Sequence, residues 1–420
     1  MTNFVNFTVA TETDLNNAIT AMNAGGSAAA ANTVYNITIT ADLELSADIA
    51  AINLLAGDSL TVTGNTLGND GNPSAHIDGG GTFRGFVVEA GAVTLNSLTI
   101  GNTVATGGGG GNGALAGGGG AGLGGGLFVA AGASVNLSNV QFSGDGARGG
   151  DGGTVTGSGT GAGGTGAPGG FGSGGAGGVA GGFGGGGGTN AAGGFGAGGN
   201  AGGGLAAGGD VFVQAGGTLT ISGGSLGAGS LSGGAGGTGG TAGAAYGNGI
   251  FIQGNNTVLL NAVTVTGAIA DQSGSGGTGS NAGAGTVDTT GLVTLAAQNT
   301  YTGGTVIENG TLTLANAGAA GSGAISFATA ATLQIGAGDT PSNTILGFTD
   351  TKGAAIDLQG IGLATTALLQ PGNHLVVSGG PRRRRRSISI RRRITAMTAS
   401  CSNPMAAAAP TSLWCRPDTP

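Results

Sequence analysis

Apolar and small polar residues alternate along this chain in short runs that long stretches of glycine separate. In SVNLSNVQFS (134–143), Val135 and Leu137 alternate with Ser134, Asn136 and Ser138. A period of two predicts strands with one buried face. The phrase recurs as GFVVEAGAVTLNSLTIGN (85–102), GLFVAAGASVNLSNVQFSG (126–144), DVFVQAGGTLTISGGSLGAG (210–229) and GIFIQGNNTVLLNAVTVTG (249–267). In the last three, Val129, Val213 or Ile252 is followed eight residues later by Leu137, Ile221 or Leu260; in the first, Val88 precedes Leu95 by seven. Each copy holds about three short strands separated by tight bends. One copy cannot bury its own inner face, whereas stacked copies can, and this predicts a parallel β-helix.

Near the start, Leu15, Ala18, Ile19 and Met22 lie at helical spacing after Thr11-x-x-Asp14 and before Gly25-Gly26. This predicts one short capped helix that covers the open end of the array. Strand-like runs continue on both sides of the repeats, from YNITIT to FRGFVV and from LVTLAA to HLVVSGG. Together they make roughly 11 rungs, or a rod about 50 Å long at one strand spacing per rung. Glycine-rich segments at 103–125, 145–209, 228–248 and 268–286 follow the third strand of a rung, which predicts lateral loops on one flank. From Gly163 to Gly202 every third residue is glycine except Asn190, and GGFG recurs every 12 residues around Phe171, Phe183 and Phe195. Two readings stay open: a flexible low-complexity linker, or segments of three residues per turn that cluster the phenylalanines. The second makes glycine necessary at 175 and 178 and less so at 174 and 177.

QNTYTGGTVIENGTLTLANAGAAGSGAISFATAATLQIGAG (298–338) resembles the autotransporter-associated β-strand repeat of bacterial surface proteins, through N-T-Y-x-G-G-T, N-G-T-L-x-L and G-S-G-A. GGGLFV and VQFSGD resemble the rungs of polymorphic outer-membrane proteins, with Asp145 where their F-x-x-N motif ends in Asn. The resemblance implies an all-β, right-handed, single-stranded parallel β-helix of the pectin lyase-like type. It also implies a passenger fragment at the bacterial cell surface or secreted, exported in its parent protein by a β-barrel translocator. The expected organisation is an N-terminal cap with the helix (1–26), a β-helix with glycine-rich insertions (27–285), the resembling repeat region continuing that β-helix (286–380), and a tail (381–420).

Charge and cysteine set the tail apart. The chain carries 12 Lys+Arg and 19 Asp+Glu, a net charge of −7, and 102 glycines. Nine of the arginines and one acid lie after residue 380, which leaves 3 basic and 18 acidic residues before it. Such a body repels nucleic acid and anionic lipid, so neither is expected as a partner. Both cysteines, Cys401 and Cys415, lie in the tail, and no disulfide framework is available to the rest. The start, MTNFVNFTVATETD, shows no signal peptide. The tail, with eight arginines at 382–386 and 391–393, reads as disordered and as the product of a reading-frame shift; the alternative is a basic patch for nucleic acid or membrane.

Candidate chemistry is sparse. Gly57-Asp58-Ser59-Leu60 spells the GDSL esterase motif, but the later block is one residue short and neither His76 nor His374 has a D-x-x-H context. LLAGDSLTVTG has the turn-then-strand shape of the other rungs, so Ser59 reads as a rung residue. Asp70, His76 and Asp78 in GNDGNPSAHIDGGG form the densest polar group and are the candidate site for carbohydrate or metal; otherwise they belong to a loop between rungs. Asp145 and Asp151 do not repeat at nine, which argues against a calcium roll, and no phosphate-binding loop is present. No cofactor and no catalysis are expected. The resemblance implies adhesion or a surface-structural role, with host or surface glycans or proteins as partners. The alternatives are a β-helical lyase or hydrolase acting on polysaccharide, and a degenerate fragment that is not exported.

Overall fold

The computed structural model describes residues 2–64, 75–164, 171–348 and 353–360, and beyond these the backbone of the strands Ala364–Gln370, His374–Gly379, Arg384–Ser389, Ala399–Ser402 and Ser412–Pro417. The chain is nearly all-β and is organised in parallel sheets of many strands.

Each of the first three repeats, with the residues that follow it, contributes to three sheets in turn, and the fourth contributes to two. Phe86–Ala90, Leu127–Val129, Val211–Val213 and Ile250–Ile252 lie side by side in one of them, which Ile52–Asn53 and Ile269–Asp271 extend at its two ends. Ala92–Gly101, Ser134–Ser143, Thr218–Leu226 and Thr257–Asn261 pair in the largest. Val104–Thr106, Gly146–Arg148 and Ser230–Ser232 form the third. The anchors stack as the repeat alignment requires. Val129 is level with Val88 and Val213, and Val213 with Ile252. Leu137 is level with Leu95 and Ile221, and Ile221 with Leu260.

Alternation follows burial: Val135, Leu137, Val140 and Phe142 are buried while Ser134 and Asn136 are exposed. The apolar faces merge into one core that runs from Val9 to Leu358. The long strands bend at one ladder position, where Ser97, Asn139 and Gly223 all take positive φ (53°, 53° and 74°). Left-handed backbone there turns the chain without breaking the register on either side.

At the N-terminus the helix is Glu12–Met22, and Leu15, Ala18, Ile19 and Met22 are buried as their spacing predicts. The Asp14 amide donates to Thr11 Oγ1 (3.1 Å) and the Ala10 amide to Asp14 Oδ2 (3.3 Å), a reciprocal cap. The segment 1–26 is more than a cap, because Asn3–Val9 is itself a strand paired in parallel with Thr33–Ile39.

In the resembling repeat region, Gly304–Ile307, Gly310–Leu314, Ile325–Phe327 and Ala331–Ile335 continue the largest sheet in parallel as far as Ala355–Gln359. Beyond that the pairing becomes antiparallel. Ala364–Gln370, His374–Gly379 and Arg384–Ser389 form a sheet of their own, and Ser412–Pro417 pairs with Ala355–Gln359 and Ala399–Ser402. These segments of the tail are strands, which differs from the disorder expected of 381–420. Of the tail strands, Ser412–Pro417 takes the otherwise open edge of Ala355–Gln359, since an unpaired strand edge is a template for an extended segment nearby.

The glycine-rich segments depart furthest from a flexible-linker reading. Those at 103–125, 145–209 and 228–248 leave through the third sheet and return through Gly122–Leu123, Ala206–Ala207 and Ala245–Tyr246, which pair with one another on the same flank. Between these points the glycine backbones bond to each other. The amides of Gly118, Gly119 and Gly120 donate to the carbonyls of Gly175, Gly202 and Gly108, at 2.8, 2.9 and 2.8 Å. Three consecutive residues thus reach three different neighbours, as a helix of three residues per turn requires.

Close backbone approach excludes a side chain at Gly175, Gly174 and Gly177 but not at Gly178, where a Cβ would meet nothing within 4 Å and only the positive φ of 84° favours glycine. A Cβ on Gly175 would lie 1.9 Å from the Val179 carbonyl oxygen, but one on Gly174 would lie 2.0 Å from Gly118 O and one on Gly177 2.2 Å from Leu115 O. The expected tolerance at 174 and 177 therefore does not hold, because the segments have neighbours on several sides. The fourth segment, 268–286, is not a lateral loop throughout: its apolar Ile269–Asp271 joins the first of the three sheets beside Ile250–Ile252.

Candidate functional site

The sequence candidates scatter. Ser59 lies on the strand Ser59–Gly64, level with Val34 and Ala92, in the middle of the stacked ladder. Its neighbour Asp58 is buried and accepts the Thr33 amide at 2.9 Å. Asp70 lies outside the described residues. His76 and Asp78 share one face of the strand Ala75–Asp78. The His76 amide donates to Asp42 Oδ1 (2.8 Å), and Asp78 receives Asn102 Nδ2 at 3.2 Å and the Gly80 amide at 2.8 Å. Both acids are engaged in holding turns between rungs. Among the described residues no group of three or more His, Cys, Asp or Glu side chains is gathered as for a metal ion.

What sequence reasoning missed is a second core on the outer side of the first sheet. Val87, Phe128, Phe212 and Phe251 lie outside the main core, yet each is buried. Phe128, Phe212 and Phe251 stack in a ladder with centroids 5.3 and 5.4 Å apart. A second ladder, Phe171–Phe183–Phe195 at 4.9 and 5.3 Å, lies over it from the glycine array. Edge-on and tilted contacts join the two, Phe183 to Phe212 at 6.1 Å and Phe195 to Phe251 at 6.0 Å. The 12-residue GGFG period therefore matches the strand spacing: each unit advances one strand separation and delivers one ring. The signal was present in LFV, VFV and IFI, where apolar residues do not alternate, as in strands covered on both faces.

Where the array meets the third sheet, a cavity of about 390 Å³ opens to solvent. Thr106, Arg148 and Ser232 line it from three adjacent strands, in register, and all three are exposed. Asp151 borders it and is held in place, its Oδ1 accepting the Ala235 amide at 2.7 Å. The remaining lining is glycine, which brings bare backbone to the surface. Arg148 has no acidic partner, whereas Arg84 pairs with Asp48 at 3.2 Å. Among the described side chains Arg148 is the one arginine or lysine without an acidic partner.

A third feature is acidic and buried. Asp145 Oδ1 accepts both the amide and the hydroxyl of Thr103 (3.0 and 2.6 Å), while its Oδ2 and both oxygens of Asp210 have no partner. Burial pushes the Asp145 carboxyl up to about 7, against the pull of the Thr103 bonds. Burial and then the neighbouring Asp145 push Asp210 well above the usual carboxylate range, partly offset by the Gly227 amide, which sits outside hydrogen-bond geometry.

The residues of the resembling phrase at 298–338 are structural. Tyr301 is fully buried with its hydroxyl 2.6 Å from Thr305 Oγ1, and buried Asn299 accepts the Ile269 amide and donates to the Ala319 carbonyl. No protein-family model matches the chain, and no curated protein matches it.

Proposed function

We propose that this chain is a passenger-type surface protein, a right-handed single-stranded parallel β-helix whose role is adhesion or the building of a surface layer, without catalysis of its own. The observation that carries the reading is the register. Anchors from repeats 39 to 84 residues apart stack level with one another, and the phrase at 298–338 continues the same sheet. A stack of this kind lengthens by adding rungs and turns a modest core into a large outward surface. The glycine array adds a second layer along one flank and so makes that surface broad and side-chain-poor. Partners are surface glycans or proteins. The parent protein supplies the β-barrel translocator.

Beads coated with the full chain test this reading. They are expected to be retained on glycan-bearing cells several-fold more than beads coated with the heat-denatured chain. Retention no better than that of the denatured control overturns the adhesive reading. Shortening of a polysaccharide by the purified chain, at a rate proportional to protein, overturns the non-catalytic one.

A further inference from the structure

The cavity beside Arg148 lies in a body whose first 380 residues carry 3 basic and 18 acidic groups. An unpaired arginine there is conspicuous, since the surrounding field repels anions that have no specific partner. Its setting is hydroxyl and glycine, with the Asp151 carboxylate at the border and its Oδ1 taken by the Ala235 amide. Thr106 and Ser232 flank it one strand away on either side, so the backbone positions of two hydroxyl-bearing residues stand about 10 Å apart with that of Arg148 between them. The floor is glycine, and the strand ends beneath it are fixed by the Gly107 amide on the Arg148 carbonyl (2.8 Å) and the Gly149 amide on the Ser232 carbonyl (2.9 Å). We propose that this cavity binds an acidic sugar, with Arg148 taking the carboxylate or sulfate and Thr106 and Ser232 taking ring hydroxyls.

The chemistry favours a saccharide over an acidic peptide. A guanidinium presents a planar fork that matches a carboxylate or sulfate in two parallel hydrogen bonds. Hydroxyls spaced along a ladder suit the hydroxyls of one or two sugar rings. Flat glycine backbone lets a ring approach without a side chain in the way. No apolar side chain lines the cavity to receive a peptide residue, and the neighbouring third-sheet strands already pair with each other. The proposal rests on the adhesive reading for its role, since a surface rod that recognises acidic glycans is a specific case of it.

Calorimetric titration of the full chain provides the test, with digalacturonate as the carboxylate probe, a chondroitin sulfate disaccharide as the sulfate probe, and digalactose as the neutral counterpart. At least one acidic sugar is expected to bind at least tenfold more tightly than digalactose, and the arm that binds identifies the anion. Arg148→Gln is expected to lower that affinity at least tenfold with an unchanged melting temperature, because the side chain it replaces is exposed and unpartnered. Arg148→Lys is expected to fall between, since an ammonium keeps the charge but loses the fork. Equal binding of acidic and neutral sugars overturns the proposal. So does unchanged affinity in Arg148→Gln, absence of binding by both acidic probes, or binding of an oligoglutamate peptide in their place. Beads carrying Arg148→Gln separate the two readings: adhesion that survives leaves the adhesive role standing and confines the failure to this cavity.

Discussion

Asp145 and Asp210 are the residues whose environment departs furthest from what their type prefers. Both are fully buried, and three of their four carboxylate oxygens have no hydrogen-bond partner. The native state therefore holds protons on these groups that the unfolded chain releases near the ordinary carboxylate value. Between that value and about 7 for Asp145, and higher for Asp210, the folded state binds more protons, so stability falls as pH rises. The loss is about 1.4 kcal/mol per pH unit per group while the two states differ by a full proton. Thermal melts between pH 4 and pH 8 are expected to show falling stability across the range. Asp210→Asn is expected to flatten that dependence and to raise the melting temperature at pH 8. A melting temperature that rises from pH 4 to pH 8 in the parent chain contradicts the assignment. In the sequence Asp145 stood out as a motif variant and as a calcium-roll candidate set aside, and Asp210 not at all, because burial of a charge next to a glycine run leaves no local pattern. Asp70, His76 and Asp78 stood out because polar residues were dense there, and density carries no information about whether the groups converge.

The glycine-rich segments are the element at which local preference and tertiary packing pull in opposite directions. Glycine loses the most conformational freedom on ordering, and no segment here has side chains enough to fold alone. Backbone hydrogen bonds to several neighbours and a shared aromatic ladder offset that cost. A Cβ on Gly186 would lie 2.0 Å from the Gly202 carbonyl oxygen, whereas one on Gly157 meets nothing within 4 Å. Gly186→Ala is accordingly expected to strip amide-exchange protection from 117–120 and 198–204, and Gly157→Ala to leave it intact. Equal protection in the two variants disproves the packed array. Phe183→Ala removes contacts to Phe171, Phe195 and Phe212 and, for a half-buried ring, is expected to cost about 2–3 kcal/mol in chemical denaturation. If the loss is no more than a few tenths of that, the rings are not a core.

Across the described residues, one apolar core runs along the stacked parallel strands from Val9 to Leu358. Leu137 is wholly buried in the middle of the stack while Asn136 beside it faces solvent. Leu137→Asp places an unpaired charge in that core and is expected to cost several kcal/mol and open adjacent rungs to protease. Asn136→Asp is expected to be nearly silent. Similar protease sensitivity in both variants is the result that would discard the assignment of faces.

The sequence by itself determined the strands, their period, the capped helix and the pairing of repeats. All of these follow from side-chain alternation and spacing, which are local, and from repetition, which makes one register far better than its neighbours. Val129 level with Val213 and Leu137 level with Ile221 were legible on those grounds alone. Only the tertiary structure decided the fate of the glycine. Period-three glycine permits both a solvated linker and a packed array, and the choice depends on whether a complementary surface is within reach. The outward phenylalanines of LFV, VFV and IFI supply that surface, one ring per rung, and the GGFG units meet it with the same spacing. The cavity at Arg148 was likewise decided late. Thr106, Arg148 and Ser232 lie 42 and 84 residues apart in the chain. They become neighbours only when three parallel strands pair, because register turns repeat length into adjacency.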